Sequence, residues 1–244
     1  MSHRFYTSEV IDIIDEAPEV KRFVFRIPEL DRFDFLPGQF VMINLPLESK
    51  ITTRAYSIAS PPLHNNTLEL VIAHKTGGLA TEYLFNTIKK GSEMPMSPAL
   101  GKFVLQAPAE GSLNETELCF ICTGTGVAPF RSMLLDLHRT KTFYKKIHLV
   151  FGCRHVKDIL YYEEMLALQK EMEGFNFIPV LSREQDSSWK GEKGYVHPVY
   201  KKMFSGQQPA MFYLCGWKEM VKEAAANIQQ MGYNRSHIHF EVYD

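Results

Sequence analysis

Arg54-Ala55-Tyr56-Ser57-Ile58-Ala59-Ser60 is the stretch on which the reading of this chain turns. It follows an apolar strand, Phe40-Val41-Met42-Ile43-Asn44-Leu45, and runs into Pro61-Pro62. Strand side chains alternate between faces, so Arg54 and Tyr56 share one face while Ala55 and Ser57 share the other. A permanently charged planar guanidinium therefore stands beside a flat aromatic ring, with a hydroxyl on the next residue. The guanidinium fork suits a diphosphate, and the tyrosine ring suits stacking on a flat heterocycle. The Ser57 hydroxyl or its backbone amide suits a hydrogen bond to a ring nitrogen. Taken alone, the same residues also describe an ordinary half-buried strand whose Arg snorkels to water.

Working outward, residues 5–45 read as strands with short turns: Tyr6–Ile14, then Val20–Ile27 ending at Pro28, then a Pro37-Gly38 turn feeding the strand at Phe40. Asn65-Asn66 separates Ser57-Ile58-Ala59 from Thr67–His74 and predicts a hairpin. A last strand, Gly101-Lys102-Phe103-Val104-Leu105, is expected to close a small antiparallel barrel. Within it, Gly77-Gly78-Leu79-Ala80-Thr81 opens a helical pattern, whose first N–H groups and dipole favour a phosphate. A plain glycine turn with Thr81 as N-cap has the same sequence. Pro108-Ala109-Glu110-Gly111-Ser112 reads as a linker, which divides the chain into residues 1–112 and 113–244.

From Glu117 the period changes. Strand Leu118–Cys122 leads into Gly124-Thr125-Gly126-Val127-Ala128-Pro129 and a helix through Met133, Leu134 and Leu137. Strands Ile147–Cys153, Phe175–Leu181, Ala210–Cys215 and His237–Val242 then alternate with helices Tyr162–Met172, His197–Met203 and Lys218–Met231. Such alternation predicts a doubly wound parallel sheet, α/β in class. A Gly-x-Gly turn between strand and helix lets backbone amides approach a pyrophosphate, but the third glycine of the ordinary dinucleotide fingerprint is here Pro129. The second strand ends Phe151-Gly152-Cys153-Arg154, without the acid that would hold a ribose 2′-OH. Arg154, Ser182, Arg183 and Lys193, with Tyr195 beyond, instead suit a 2′-phosphate. A solvated charged loop is the alternative.

The 244 residues allow one large core or two domains, and 45% hydrophobic and 12% aromatic content are those of a globular protein. A formal charge of −1 supplies no global field for nucleic acid or membrane surfaces. Apolar runs stay well short of the ~18 residues of a membrane span, and Met1-Ser2-His3-Arg4 does not start a signal peptide, so a cytoplasmic protein is expected. Cys119, Cys122, Cys153 and Cys215 end apolar runs and read as buried free thiols. No metal site and no iron–sulfur cluster are expected.

These motifs, in this order, resemble those of the plant-type ferredoxin–NADP reductase superfamily. The resemblance implies an FAD-binding barrel followed by an NADP-binding α/β domain. It assigns Arg54, Ala55, Tyr56 and Ser57 to FAD, with Arg54 on the diphosphate, Tyr56 on the isoalloxazine and Ser57 near N5. It adds Ile72, His74, Gly78, Leu79, Ala80, Thr81, Thr125 and Tyr243 to the FAD set. NADP falls to Gly124, Thr125, Gly126, Pro129, Arg154, Ser182, Arg183, Lys193, Tyr195, Cys215 and Gly216. Catalytic roles fall to Ser57, Cys215, Glu241 and Tyr243, the last stacking where nicotinamide enters, although Asp244 adds a residue beyond the family's usual Glu-x-Tyr end. The implied activity moves hydride between NADP(H) and flavin and single electrons to a separate ferredoxin or flavodoxin. The reductase component of an oxygenase or cytochrome system is the alternative, and a monomer or weak dimer is expected.

Overall fold

The computed structural model describes residues 5–47, 50–107 and 112–243. Most of the proposed linker (residues 108–111), the starting residues 1–4 and Asp244 lie outside the described residues. The chain forms two compact units, Met1–Leu105 with Ala128–Asp136, and Gln106–Val127 with Leu137–Asp244.

The first unit holds β1 (Tyr6–Ala17), β2 (Val20–Arg26), β3 (Phe40–Leu47), β4 (Lys50–Ser57), β5 (Thr67–Ala73), helix α1 (Leu79–Asn86) and β6 (Glu93–Met96). The six strands form one antiparallel sheet in the order β4-β3-β6-β1-β2-β5. Its two ends meet at a single bridge, Ile58 to Leu70, beside which the Ala59 N–H donates to Glu69 O at 2.8 Å. Alternation drives the closure: Phe23 and Phe25 of β2, Val41, Ile43 and Leu45 of β3, and Leu68 and Leu70 of β5 all point into one core.

Two expectations fail here. The hairpin across Asn65-Asn66 reduces to that one bridge, because β5 pairs along its length with β2 and β4 with β3. Residues 101–105 are a loop, and the sixth strand is β6. Gly101 has φ +101°, and a Cβ there would lie 2.9 Å from the Phe40 ring, so the segment turns where a strand would run on. Phe103, 7% exposed, fills space as a loop residue.

The second unit is a parallel sheet of β7 (Glu117–Thr123), β8 (Lys146–Cys153), β9 (Phe175–Leu181), β10 (Glu192–Lys193), β11 (Ala210–Trp217) and β12 (Ile238–Tyr243). Their order is β10-β9-β8-β7-β11-β12. The accompanying helices are α2 (Ala128–Thr140), α3 (Tyr162–Glu171), α4 (Val196–Met203) and α5 (Lys218–Gln230). Of α2, Ala128–Asp136 belongs to the first unit. β7 and β11 are buried almost throughout, as expected of strands covered on both faces. The strand order reverses between β7 and β11, and a doubly wound sheet binds its ligand outside the carboxyl ends of strands at such a reversal.

Candidate functional site

In the first unit, β4 carries the signature residues in register with β3: Arg54 opposite Ile43, Ala55 opposite Met42, Tyr56 opposite Val41 and Ser57 opposite Phe40. Arg54 and Ala55 are exposed, Tyr56 is half-buried against the core, and Ser57 is 5% exposed. Among the described residues Arg54 donates from Nη1 to the adjacent Thr53 carbonyl at 3.0 Å, and the residue is exposed, which leaves donors of its fork facing solvent. Burial pushes the Tyr56 phenol up to about 12, with the Arg54 charge opposing it, so the ring is neutral at physiological pH. Ile72 is a core residue at 2% exposure.

Helix α1 begins at Leu79 with Gly78 as N-cap, so Thr81 is not the cap. The Thr81 hydroxyl instead pins the preceding turn, accepting from the Lys75 N–H at 3.0 Å and lying 3.0 Å from the Gly78 carbonyl. The first N–H groups of the helix, at Leu79, Ala80 and Thr81, have no acceptor within the helix, the general condition that makes a helix N-terminus suited to an anion. His74 lies at the end of β5 with both ring nitrogens engaged by carboxylates: Nδ1 is 2.7 Å from Glu19 Oε2 and Nε2 3.1 Å from Glu82 Oε1.

A second feature of this unit was not legible in the sequence. Arg131 of α2, 5% exposed, donates from Nη1 to the Ala59 carbonyl at 2.9 Å and to Glu69 Oε2 at 2.6 Å. Glu69 also receives Arg22 Nη1 at 3.1 Å, and Arg22 Nε reaches Glu16 at 2.6 Å. Ser132 adds a hydrogen bond to the Ser60 carbonyl at 2.7 Å. The chain leaving Tyr56-Ser57 is thus held by two neighbouring residues of one helix. An arginine amid Phe130, Met133 and Leu134 was the available signal, since a charge in an apolar run needs a partner.

In the second unit, the turn after β7 runs Gly124-Thr125-Gly126 into α2, with Pro129 in the helix's first turn. A Cβ on Gly126 would lie 2.5 Å from the Cys215 carbonyl, and one on Gly216, at φ +129°, would lie 2.5 Å from Thr123 Oγ1. Only glycines let the ends of β7 and β11 pack this closely, at the strand-order reversal. Cys215 faces Glu241 across the β11–β12 pairing, and Trp217 faces Tyr243. Cys215 and Tyr243 are hydrogen-bonding neighbours; burial first, then the Glu241 charge, pushes the Cys215 thiol well above its usual range. Cys215, Glu241 and Tyr243 are therefore brought together, with the thiol in its neutral form. Through Tyr243, the tail is the edge strand of the sheet.

The four residues chosen for a 2′-phosphate also converge. Leu181 pairs with Cys153 and with Lys193, which sets the ends of β8, β9 and β10 side by side. The Arg183 N–H donates to the Arg154 carbonyl at 2.9 Å, and Ser182 Oγ donates to the Cys153 carbonyl at 3.1 Å. Arg154, Arg183, Lys193 and Tyr195 are exposed. One of the acids in this neighbourhood, Glu184, is turned onto the N–H groups of Asp186 (2.9 Å) and Val156 (3.0 Å). Those hydrogen bonds hold its carboxyl below the usual range.

The donor sets fit the groups expected of them: an open guanidinium, a neutral aromatic ring and a helix N-terminus for FAD, and a glycine cradle with exposed cations for a nicotinamide dinucleotide. Comparison with known proteins agrees. The oxidoreductase FAD-binding domain matches residues 7–105, and the oxidoreductase NAD-binding domain matches residues 120–226. Ferredoxin–NADP reductase B of Sorangium cellulosum is 31% identical over 248 residues, covering 98% of this chain and 98% of that protein. The reductase component of phenol 2-monooxygenase from Pseudomonas sp. (strain CF600) is 32% identical over 231 residues, 92% of this chain but 62% of the relative's length. The crystal structure of Amycolatopsis cytochrome P450 reductase superposes with a TM-score of 0.86 at 26% identity, over 99% of this chain and 71% of that one. With both domains matched in order and a relative of equal extent, the chain belongs to the ferredoxin–NADP reductase family of FAD- and NAD(P)-binding oxidoreductases.

Proposed function

We propose that this oxidoreductase passes electrons from NADPH through FAD to a separate one-electron carrier, a ferredoxin or flavodoxin. The observation that carries the reading is the likeness, over 98% of both chains, to a ferredoxin–NADP reductase. The choice of NADPH over NADH rests on the exposed Arg154, Arg183 and Lys193 gathered around Ser182. FAD, when bound, takes two electrons together as hydride and releases them singly. The residues bind and orient. Arg54 and the start of α1 would hold the diphosphate. The neutral ring of Tyr56 offers a stacking face, and the Ser57 hydroxyl a hydrogen bond to a ring nitrogen. Gly126 and Gly216 let the dinucleotide approach backbone, and the uncharged Cys215 thiol adds no second anion beside Glu241. Glu241 is placed to exchange a proton, and the Tyr243 ring to compete with nicotinamide for a stacking surface.

A second reading has equal support. The 32% identity to the phenol 2-monooxygenase reductase component favours an oxygenase as the electron acceptor. The two readings share every residue above and differ only in the partner. The test is to reduce the flavoprotein with NADPH and mix it in a stopped-flow instrument with oxidised ferredoxin, flavodoxin or an oxygenase component. Fast, saturable reoxidation by ferredoxin or flavodoxin supports the first reading; reoxidation by the oxygenase component alone overturns it in favour of the second.

A further inference from the structure

His74 ends β5 and is wedged between two elements that have no hydrogen-bonded strand pairing with each other. The turn joining β1 and β2 contributes Glu19, whose carboxylate sits 2.7 Å from Nδ1. Helix α1 contributes Glu82, whose carboxylate sits 3.1 Å from Nε2. The ring packs against Phe85, with centroids 5.0 Å apart, and its side chain is 17% exposed. A neutral imidazole has one N–H and one lone pair, so it satisfies one carboxylate and presents a lone pair to the other. An imidazolium donates to both. The geometry of two carboxylates on two nitrogens is therefore that of the protonated ring.

Glu82 does more than receive this proton. It lies in the first turn of α1, where Oε1 also accepts the Gly77 N–H at 3.3 Å and Oε2 the Asn86 amide at 2.8 Å. A carboxylate there sits close to the N–H groups read above as the second hold on the FAD diphosphate. Uncompensated, it would repel that anion. The protonated His74 ring, 3.1 Å from Glu82 Oε1, offsets part of that charge.

We propose that His74 is a positioning residue for FAD: it ties the Gly77-Gly78 turn to the β1–β2 turn and offsets part of the Glu82 charge, and the tie opens when the ring loses its proton. The inference rests on the reading of Gly78–Thr81 as a diphosphate hold. The groups around the ring are Glu19 from the β1–β2 turn, Glu82 from α1, Lys21 of β2, Asp15 of β1 and the adjacent Lys75. Lys21 is drawn toward Phe85, its Nζ 5.1 Å from the ring centroid. The carboxylates outweigh the lysines: hydrogen bonding to Glu19 first, then to Glu82, raises the His74 pKa above its ordinary 6.5. The tie is thus complete below that ordinary value and is lost as pH rises through the raised one. One link survives, because the His74 N–H donates to the Glu19 carbonyl at 2.7 Å whatever the ring's charge. The effect is therefore a change in affinity, without collapse of the turn.

The test is the FAD dissociation constant of the full chain, read from the fluorescence of released flavin between about pH 6 and about pH 9. The wild type should lose roughly threefold in affinity in one step as pH rises, the scale of an exposed ion pair. His74→Gln keeps hydrogen-bonding groups but cannot titrate, and Glu82→Gln removes the charge to be offset; both should be flat across that step. Gly78→Ala, whose Cβ would come to 2.9 Å from the Lys75 carbonyl, should weaken FAD at every pH. If the wild type and both Gln variants share one pH profile while Gly78→Ala weakens binding, the latch is wrong and the diphosphate hold stands. If Gly78→Ala leaves FAD affinity unchanged, the hold itself is wrong.

Discussion

The two phosphate-competent regions of the molecule are built on opposite plans. Around α1 and β4 most charges other than the open Arg54 guanidinium are tied in networks: Glu19–His74–Glu82 beside the glycine turn, and Glu16–Arg22–Glu69–Arg131 beneath the exit of β4. At the ends of β8, β9 and β10, Arg154, Arg183 and Lys193 stand exposed on short connections. A region whose charges are already satisfied keeps its shape whether or not a ligand is present, and loses little entropy on binding. Exposed cations attract an anion quickly and release it as readily. The first plan suits a cofactor that stays, and the second suits one that exchanges every turnover.

The comparison breaks most visibly at the buried network. Arg131→Ala should destabilise the protein by about 3 kcal/mol in denaturant unfolding, because it leaves Glu69 and the Ala59 carbonyl short of a partner. Arg183→Ala should cost little stability. Instead it should shift the NADPH-to-NADH affinity ratio by tenfold to a hundredfold, since charge-assisted hydrogen bonds are worth about 1.5–3 kcal/mol. Equal losses for both nucleotides would mean that Arg183 does not read the phosphate. Unchanged unfolding of Arg131→Ala would mean that the first plan is not a prebuilt one.

A smaller effect is expected at the tail. Tyr243→Ser should tighten NADP⁺ by up to about tenfold, because an aromatic contact worth roughly 0.5–1.5 kcal/mol no longer has to be displaced. It should also slow turnover, since a nucleotide that stays bound delays release. Fluorescence titration and steady-state rates read the two separately. Smallest of all should be alkylation of Cys215. Its buried, neutral thiol should react slowly with iodoacetamide at neutral pH in the folded protein and freely after unfolding.

How much of this was legible differs between the two units for a physical reason. Strands of the parallel sheet are buried on both faces, so Leu118–Cys122 or Ala210–Cys215 read as unbroken apolar runs between glycine turns. The barrel strands pair with partners far along the chain. Nothing near Thr67–Ala73 announces that it pairs with Val20–Arg26, and the expected local hairpin did not form. Glu93–Met96 was missed because four residues with a central proline carry too little pattern. The site divides likewise. Arg54–Ser57 and Gly124–Pro129 are local motifs, which spacing alone marks as candidates. Glu69 meets Arg131 across 62 positions and Glu19 meets His74 across 55, and such pairs exist only after folding.

The most direct test of the account is stopped-flow bleaching of the flavin absorbance in the purified protein, mixed with NADPH or NADH over a range of concentrations. The flavin is identified afterwards by heat release. The account predicts FAD as the released flavin, with two diphosphate holds to retain it, and half-maximal reduction at a NADPH concentration at least tenfold below that for NADH. Release of FMN, or indistinguishable concentration dependence for the two nucleotides, would contradict it.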